Sequence, residues 1–224
     1  MLPSSSQFTL IDVLTSRQAT SRRASGQTSG QTSGRTQTRL IRAASVIFMT
    51  TLTAAAAQVS VPLPFTQVPF TFQPMVVLLA GLVLGSRLGL SSQLLYLAAG
   101  IAGLPVFAAS LTLPPGVGRL LGPTGGYLMA YPLAAYLTGF LAERGFDRRY
   151  VTSVLAMCAG LILIYLFGAT WLGMFVPTAI GASAIGMRAA LLTGVVPFVA
   201  ADVLKLLIAA GVVPSLWKLL GTTR

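Results

Sequence analysis

The sequence predicts an all-α membrane protein, a bundle of six transmembrane helices behind a disordered N-terminal tail. Three observations predict it. Of the 224 residues, 54% are hydrophobic and 8% charged, with mean hydropathy +0.81, whereas soluble domains carry about 25% charged residues. Beyond residue 40 the apolar residues gather into runs, and a bilayer span needs about 20 residues at 1.5 Å rise each. The 15 Lys and Arg, against 4 Asp and Glu for a net charge of +11, fall in the tail and between those runs, as topology signals do. With no recognition motif beside them, no nucleic-acid partner is expected.

Residues 1–39 include "SRRASGQTSGQTSGRTQTR", which repeats small polar residues without apolar periodicity. Such a segment buries too little apolar area to offset its ordering entropy, so a disordered basic tail is expected; its Ser, Thr and Arg content also resembles a transit peptide. The first span is expected at about 40–60. The region 74–102 is long enough for one span, but "GSRLG" at 85–89 interrupts it. Arginine placement decides between one helix and two. Arg35, Arg39 and Arg42 put the N-terminus in the cytoplasm. Two short helices, about 74–85 and 88–102, then leave Arg87, Arg144, Arg148, Arg149, Lys218 and Arg224 inside as well, with only Arg119 and Arg188 outside. Spans at about 125–143, 150–174 and 189–213 complete a domain over 40–213, and 214–224 form a cytoplasmic tail. A multi-pass protein of the plasma membrane, in contact with lipid and with both termini cytoplasmic, is the expectation. Short, Gly-interrupted apolar helices occur in transporters, where broken helices line a solute site.

The last span, "VVPFVAADVLKLLIAAGVV" at 195–213, carries Asp202 and Lys205 three residues apart, on one helix face. A charge at mid-membrane costs about 2.5–3.5 kcal/mol on insertion scales. Two readings of the pair stand: an ion pair that only packs the bundle, or a polar contact set for a ligand. An Asp accepts N–H bonds and a Lys donates to carbonyls, and a urea or amide offers both partners.

Three further stretches are candidates. "VPLPFTQVPFTFQP" at 61–74 carries four prolines that deny it regular helix; it is either a stiff external loop or a cover in which Phe65, Phe70 and Phe72 close over an apolar ligand while Gln73 adds hydrogen bonds. "LLGPTGGYLMAY" at 120–131 is either a helix start or a cradle, with Gly122, Gly125 and Gly126 admitting close backbone approach and Tyr127 opening the helix. Thr50 with Ala54, and Thr53 with Ala57, are small residues four apart that let helices approach closely; the partner is an internal helix or another subunit. The helix starts near Pro74, Gly125 and Arg188 offer free N–H groups to an anion.

The chain has no histidine and four carboxylates in all, and it carries no phosphate loop, metal cluster or cofactor fingerprint. No enzyme, metal or cofactor is expected. Cys158 lies in an apolar run as a small apolar group.

"PLPFTQVPFTFQ", "LLYLAAGIAGLPVFA", "LLGPTGGYL", "LAER" and "DVLKLLIAA" occur in that order. Together, across residues 40–213, they resemble the BioY family, the biotin-binding S components of energy-coupling factor (ECF) transporters. The resemblance implies a six-helix bundle that binds biotin from outside and works with a transmembrane T component and ATPase subunits. It implies that Asp202 meets the ureido N–H and Lys205 the carbonyl side, and that Tyr127 and the 122–126 turn, with Gly125 and Gly126, line the pocket. Some members carry Asn or Gly just after "PVFA"; here Ala109 and Ser110 follow, leaving Ser110 to supply that bond. Arg119 or the helix N-termini are the candidates for the carboxylate. The small residues Thr50, Ala54 and Ala57 are where the T component is expected to dock. The alternatives are an S component for another small vitamin, or a membrane scaffold without solute, in which Asp202 and Lys205 bond only to each other and no cavity adjoins them.

Overall fold

The computed structural model describes residues 31–110, 113, 115–176 and 183–219. Helix α1 spans Gln31–Gln58. It begins ahead of the expected 40, within the stretch assigned to the tail, because hydropathy marks what lipid covers while helical hydrogen bonding extends into the polar residues before it. Residues 1–30 of the expected tail lie outside the described residues.

A short antiparallel ribbon follows, β1 (Ser60–Val61) with β2 (Phe70–Thr71), pairing Ser60 with Thr71 and Val61 with Phe70. The proline-rich residues between the strands form a strap. Helix α2 (Gln73–Leu84) has Pro74 in its first turn, where no amide bond is lost. Helix α3 (Ser86–Ile101) starts one residue beyond Gly85. Two short helices therefore form, as the arginine pattern requires. The turn sits at Gly85, whose φ of 83° and ψ of 180° lie in a region open essentially to glycine, and Arg87 is exposed in the first turn of α3.

After the short α4 (Val117–Leu121) comes α5 (Gly125–Leu141), ending in a π-turn over Ala142–Phe146, then α6 (Tyr150–Thr170), ending in a π-turn over Trp171–Phe175. The spans expected there were 125–143 and 150–174. Glu143 at the foot of α5 accepts hydrogen bonds from the Ser86 backbone N–H (2.8 Å) and hydroxyl (2.7 Å), capping the orphan amide end of α3.

The C-terminal region differs from expectation. The span placed at 189–213 is broken into α7 (Met187–Gly194) and α8 (Val196–Ala210), and α9 (Val212–Leu219) continues into the supposed tail. The break follows from Pro197, which has no N–H to continue α7. Gly211 stays in helical geometry at φ −74°, and Pro214 falls early enough in α9 to lose no bond. Trp217 of α9 donates its indole N–H to Asp147 at 2.7 Å. Burial pushes the Asp147 carboxyl up to about 6 against the lowering pull of Trp217 and Arg148.

Among the described residues, three helices are long and apolar enough to cross a membrane, Thr36–Gln58, Tyr150–Phe175 and Val196–Leu219, while Gln73–Leu84 is a shorter apolar helix. Helix α5 packs against α2, α3 and α6. The core between them holds Leu78, Leu82, Tyr96, Met157 and Ile164, all essentially sealed from solvent. Outside, α6 exposes Leu155, Ile162 and Leu166, and α8 exposes Leu204 and Ile208. Exposed leucine and isoleucine along these helices is the surface of a protein solvated by lipid.

Candidate functional site

Helix α8 brings Asp202 and Lys205 to one face, each about 7% exposed. The Lys205 ammonium donates to Asp202 Oδ1 at 2.8 Å and to the Thr71 carbonyl of β2 at 2.7 Å. It also sits 3.5 Å from the centre of the Phe70 ring and 5.0 Å from that of Phe72. The other Asp202 oxygen, Oδ2, accepts from the Tyr165 hydroxyl of α6 at 2.7 Å. Each charge thus has a compensating partner, as burial in hydrocarbon demands.

A cavity of about 830 Å³ opens beside this network, within the size range of small-molecule sites. Asp202 and Tyr165 line it together with Tyr127, Tyr131, Gln73 and Arg119, and apolar walls come from Leu128, Ile164 and Phe198. The strap closes one side through Leu63, Val68 and Thr71.

Tyr127 reaches the wall because of two local features. Gly168 of α6 leaves room for its ring, which a Cβ there would overlap. Its hydroxyl donates at 2.8 Å to the Gly194 carbonyl. That carbonyl is open because α7 breaks there, the Phe198 amide bonding to Val195 instead. Gln73 is buried at the start of α2 and donates to the Tyr96 hydroxyl, which donates to the Val106 carbonyl at 3.1 Å. Ser110 lines the cavity and accepts from the Leu113 amide at 3.2 Å. Arg119 donates to the Ala108 carbonyl at 2.9 Å; partial burial lowers its pKa from the ordinary arginine value, and a guanidinium stays cationic there.

Several sequence expectations are corrected. Lys205 does not line the cavity; it lies behind Asp202. Phe70 and Phe72 face Lys205 rather than a ligand, and Phe65 is 58% exposed. The 122–126 turn meets the cavity through Pro123 and Thr124, not through Gly125 and Gly126. Gly125 is pressed on the Leu120 carbonyl and Gly126 on Trp171 and the Phe167 carbonyl, so they serve the close packing of α5 on its neighbours. The small residues of α1 face inward: Thr50 donates to the Ser92 carbonyl at 2.8 Å, Thr53 accepts from Gln93, and Ala57 is fully buried, with Ala54 half-buried. They seat α1 on α3.

Sequence reasoning missed Tyr165, Tyr131, Thr71 and Gly194. Tyr165 carried a signal: it bears the only hydroxyl between Ser153 and Thr170 in an otherwise apolar helix.

Residues 28–222 match the family described as the BioY family. The chain belongs to the BioY family. It is similar to the probable biotin transporter BioY of Pyrococcus horikoshii, 41% identical over 160 residues that make up 71% of this chain and 86% of that one. With the biotin transporter BioY of Thermotoga maritima it shares 37% identity over 170 residues, 76% of this chain and 92% of the relative. Its fold matches the crystal structure of the S-component for biotin from an ECF-type ABC transporter, with a TM-score of 0.70 and 25% identity, covering 81% of this chain and 93% of that chain. Asp202, Tyr165 and the strap therefore sit in a BioY-family membrane fold.

Proposed function

We propose that this chain is the substrate-binding subunit of a vitamin uptake transporter, taking biotin from the external side and delivering it with an ATP-driven energy-coupling module. The observation that carries the reading is the Asp202–Tyr165 pair opening onto a cavity of about 830 Å³. A carboxylate and a phenol, side by side on an apolar wall, match a urea that offers N–H donors and a carbonyl acceptor. Biotin carries that group, and Arg119, on the same cavity, supplies a cation suited to its carboxylate end. The cavity weighs against a scaffold without solute, for which Asp202 and Lys205 would be sealed together.

In this reading α1, α2, α3, α5, α6 and α8 are the six spans, in a multi-pass topology within the plasma membrane and with both termini cytoplasmic. Broken or short helices sit where they line the site, as lipid exposure of irregular backbone would be costly. The partners are the transmembrane T component, the ATPase subunits and the surrounding lipid. The chain performs no chemistry of its own.

The test is mass-spectrometric identification of the ligand carried by detergent-purified protein, followed by uptake of radiolabelled biotin into cells expressing the chain together with a T component and its ATPase subunits. Copurified biotin and uptake above the vector control are expected. A different vitamin in the site, or uptake at the control level, overturns the proposal.

A further inference from the structure

Helix α5 has two unlike faces. Ala130, Ala134, Ala135 and Thr138 are fully buried against its neighbours. On the other side Met129, Leu133 and Tyr136 are 37%, 45% and 42% exposed, and Phe140 and Arg144 continue the same line. Spacings of three and four residues keep all five on one stripe. The stripe changes character along its length. Met129 and Leu133 are apolar. The Tyr136 and Phe140 rings then stack with centres 6.2 Å apart and planes at 21°. The Arg144 guanidinium lies 3.3 Å from the centre of the Phe140 ring, and one of its N–H groups donates to the Phe140 carbonyl at 3.2 Å. A guanidinium has five such donors, so most of the fork is left for another partner.

Fifteen residues separate Met129 from Arg144, about 22 Å of helix at 1.5 Å rise. One leaflet with its headgroups is about 20–22 Å thick. Apolar, then aromatic, then cationic groups over that length follow the depth profile of a single phospholipid, from acyl chain through interface to phosphate. Charge at the foot of α5 favours an anionic one. The neighbouring Glu143 has its Oε1 held by the Ser86 backbone N–H and hydroxyl at 2.8 and 2.7 Å. That contact brings Arg87, exposed one residue beyond Ser86, to the same corner. Among the described residues no carboxylate is exposed, whereas Arg87, Arg144, Arg149 and Lys218 all are.

We propose that the outer face of α5, from Met129 to Arg144, is a binding site for one anionic phospholipid of the cytoplasmic leaflet, with Arg144 and Arg87 on its phosphate. The inference uses the membrane orientation given above and is independent of the biotin reading, since none of the stripe lines the cavity. Stacking on Phe140 preorganises the guanidinium for a two-pronged contact with phosphate oxygens. The lipid joins α3 to α5 at the corner where Glu143 already ties them.

The test is native mass spectrometry of the purified full chain, released from mixed micelles holding equal amounts of dioleoyl phosphatidylglycerol and dioleoyl phosphatidylcholine. The two lipids share their acyl chains and differ in headgroup. Wild type is expected to retain the phosphatidylglycerol in preference. Arg144→Gln is expected to lower the retention ratio about five-fold, as for one lost cation at a membrane surface. Arg87→Gln is expected to act in the same direction, and it carries the test if Arg144→Gln does not fold. Phe140→Leu keeps every charge but removes the ring under the guanidinium, and is expected to lower the ratio about two- to five-fold. Lys218→Gln removes an exposed cation off the stripe and is expected to leave the ratio unchanged. Equal retention of the two lipids by wild type overturns the proposal and leaves the stripe to a protein partner or a second copy of the chain. A wild-type ratio in Arg144→Gln also overturns it. So does a fall in Lys218→Gln as large as that in Arg144→Gln, which would make the preference a diffuse effect of the positive rim.

Discussion

Replacing Asp202 by Asn removes a charge without changing volume, and two hydrogen bonds register the loss. Asp202 accepts from Lys205 at 2.8 Å and from Tyr165 at 2.7 Å. Hydrogen bonds to a charged group contribute about 1.5–3 kcal/mol each. Losing the charge-assisted bond to a ureido N–H should therefore weaken biotin roughly 10- to 150-fold. The same change strands the Lys205 ammonium, and breaking a buried pair costs about 3–5 kcal/mol. Thr71 and Phe70 remain to hold the cation, so the lower end applies. Affinity and stability thus fall together in the single variant, and a second variant separates them. Asp202→Asn combined with Lys205→Met removes both charges, and it should recover thermal stability over the single variant without recovering binding. Calorimetric titration and thermal unfolding on the same detergent preparations read both quantities. Wild-type affinity in Asp202→Asn, or recovered binding in the double variant, would show that the carboxylate charge does not hold the ligand.

Three other perturbations have defined outcomes. Gly85→Ala forces a side chain into φ 83° and should cost about 1–3 kcal/mol of stability, seen as a lower unfolding temperature; an unchanged temperature would mean the α2–α3 turn is not held there. Asp147 keeps its proton up to about pH 6 in the fold but only to about 4 when unfolded. The folded state then binds the proton more tightly, so this residue's contribution to stability falls as pH rises from about 4 through 6. Asp147→Asn should flatten that slope in unfolding temperature measured against pH while keeping an acceptor for Trp217, and an unaltered slope would contradict it. Ala57→Leu puts a large side chain into the fully buried α1–α3 seam, so it should lower the stability of the isolated chain by about 1–3 kcal/mol; loss of partner assembly with wild-type stability would instead restore α1 as a docking face.

What was legible in the sequence is what local chemistry dictates. The turn between α2 and α3 followed from two glycines and Arg87, and the limits of α5 and α6 from apolar runs closed by charge. Asp202 stood out because a carboxylate in an apolar helix needs compensation wherever it points. The role of Lys205 was not legible, because it depends on a carbonyl and a ring more than 130 residues away in the chain. Gly125 and Gly126 announced a close approach but not that Trp171 and the Leu120 and Phe167 carbonyls make it. The break at Gly194 hid inside an apolar run, where hydropathy is blind to a proline's missing N–H. Tyr165 read as one more apolar residue, since its polar tip matters only once Asp202 is placed opposite it.

Calorimetric titration of the purified wild-type chain, with biotin and then with lipoate, bears hardest on the biotin reading. The two acids share a pentanoate tail, and only biotin carries the urea that Asp202 and Tyr165 are placed to receive. Saturable one-to-one binding of biotin with none of lipoate is expected. Equal binding of both, or binding of neither, would mean that the Asp202–Tyr165 pair does not select the ligand.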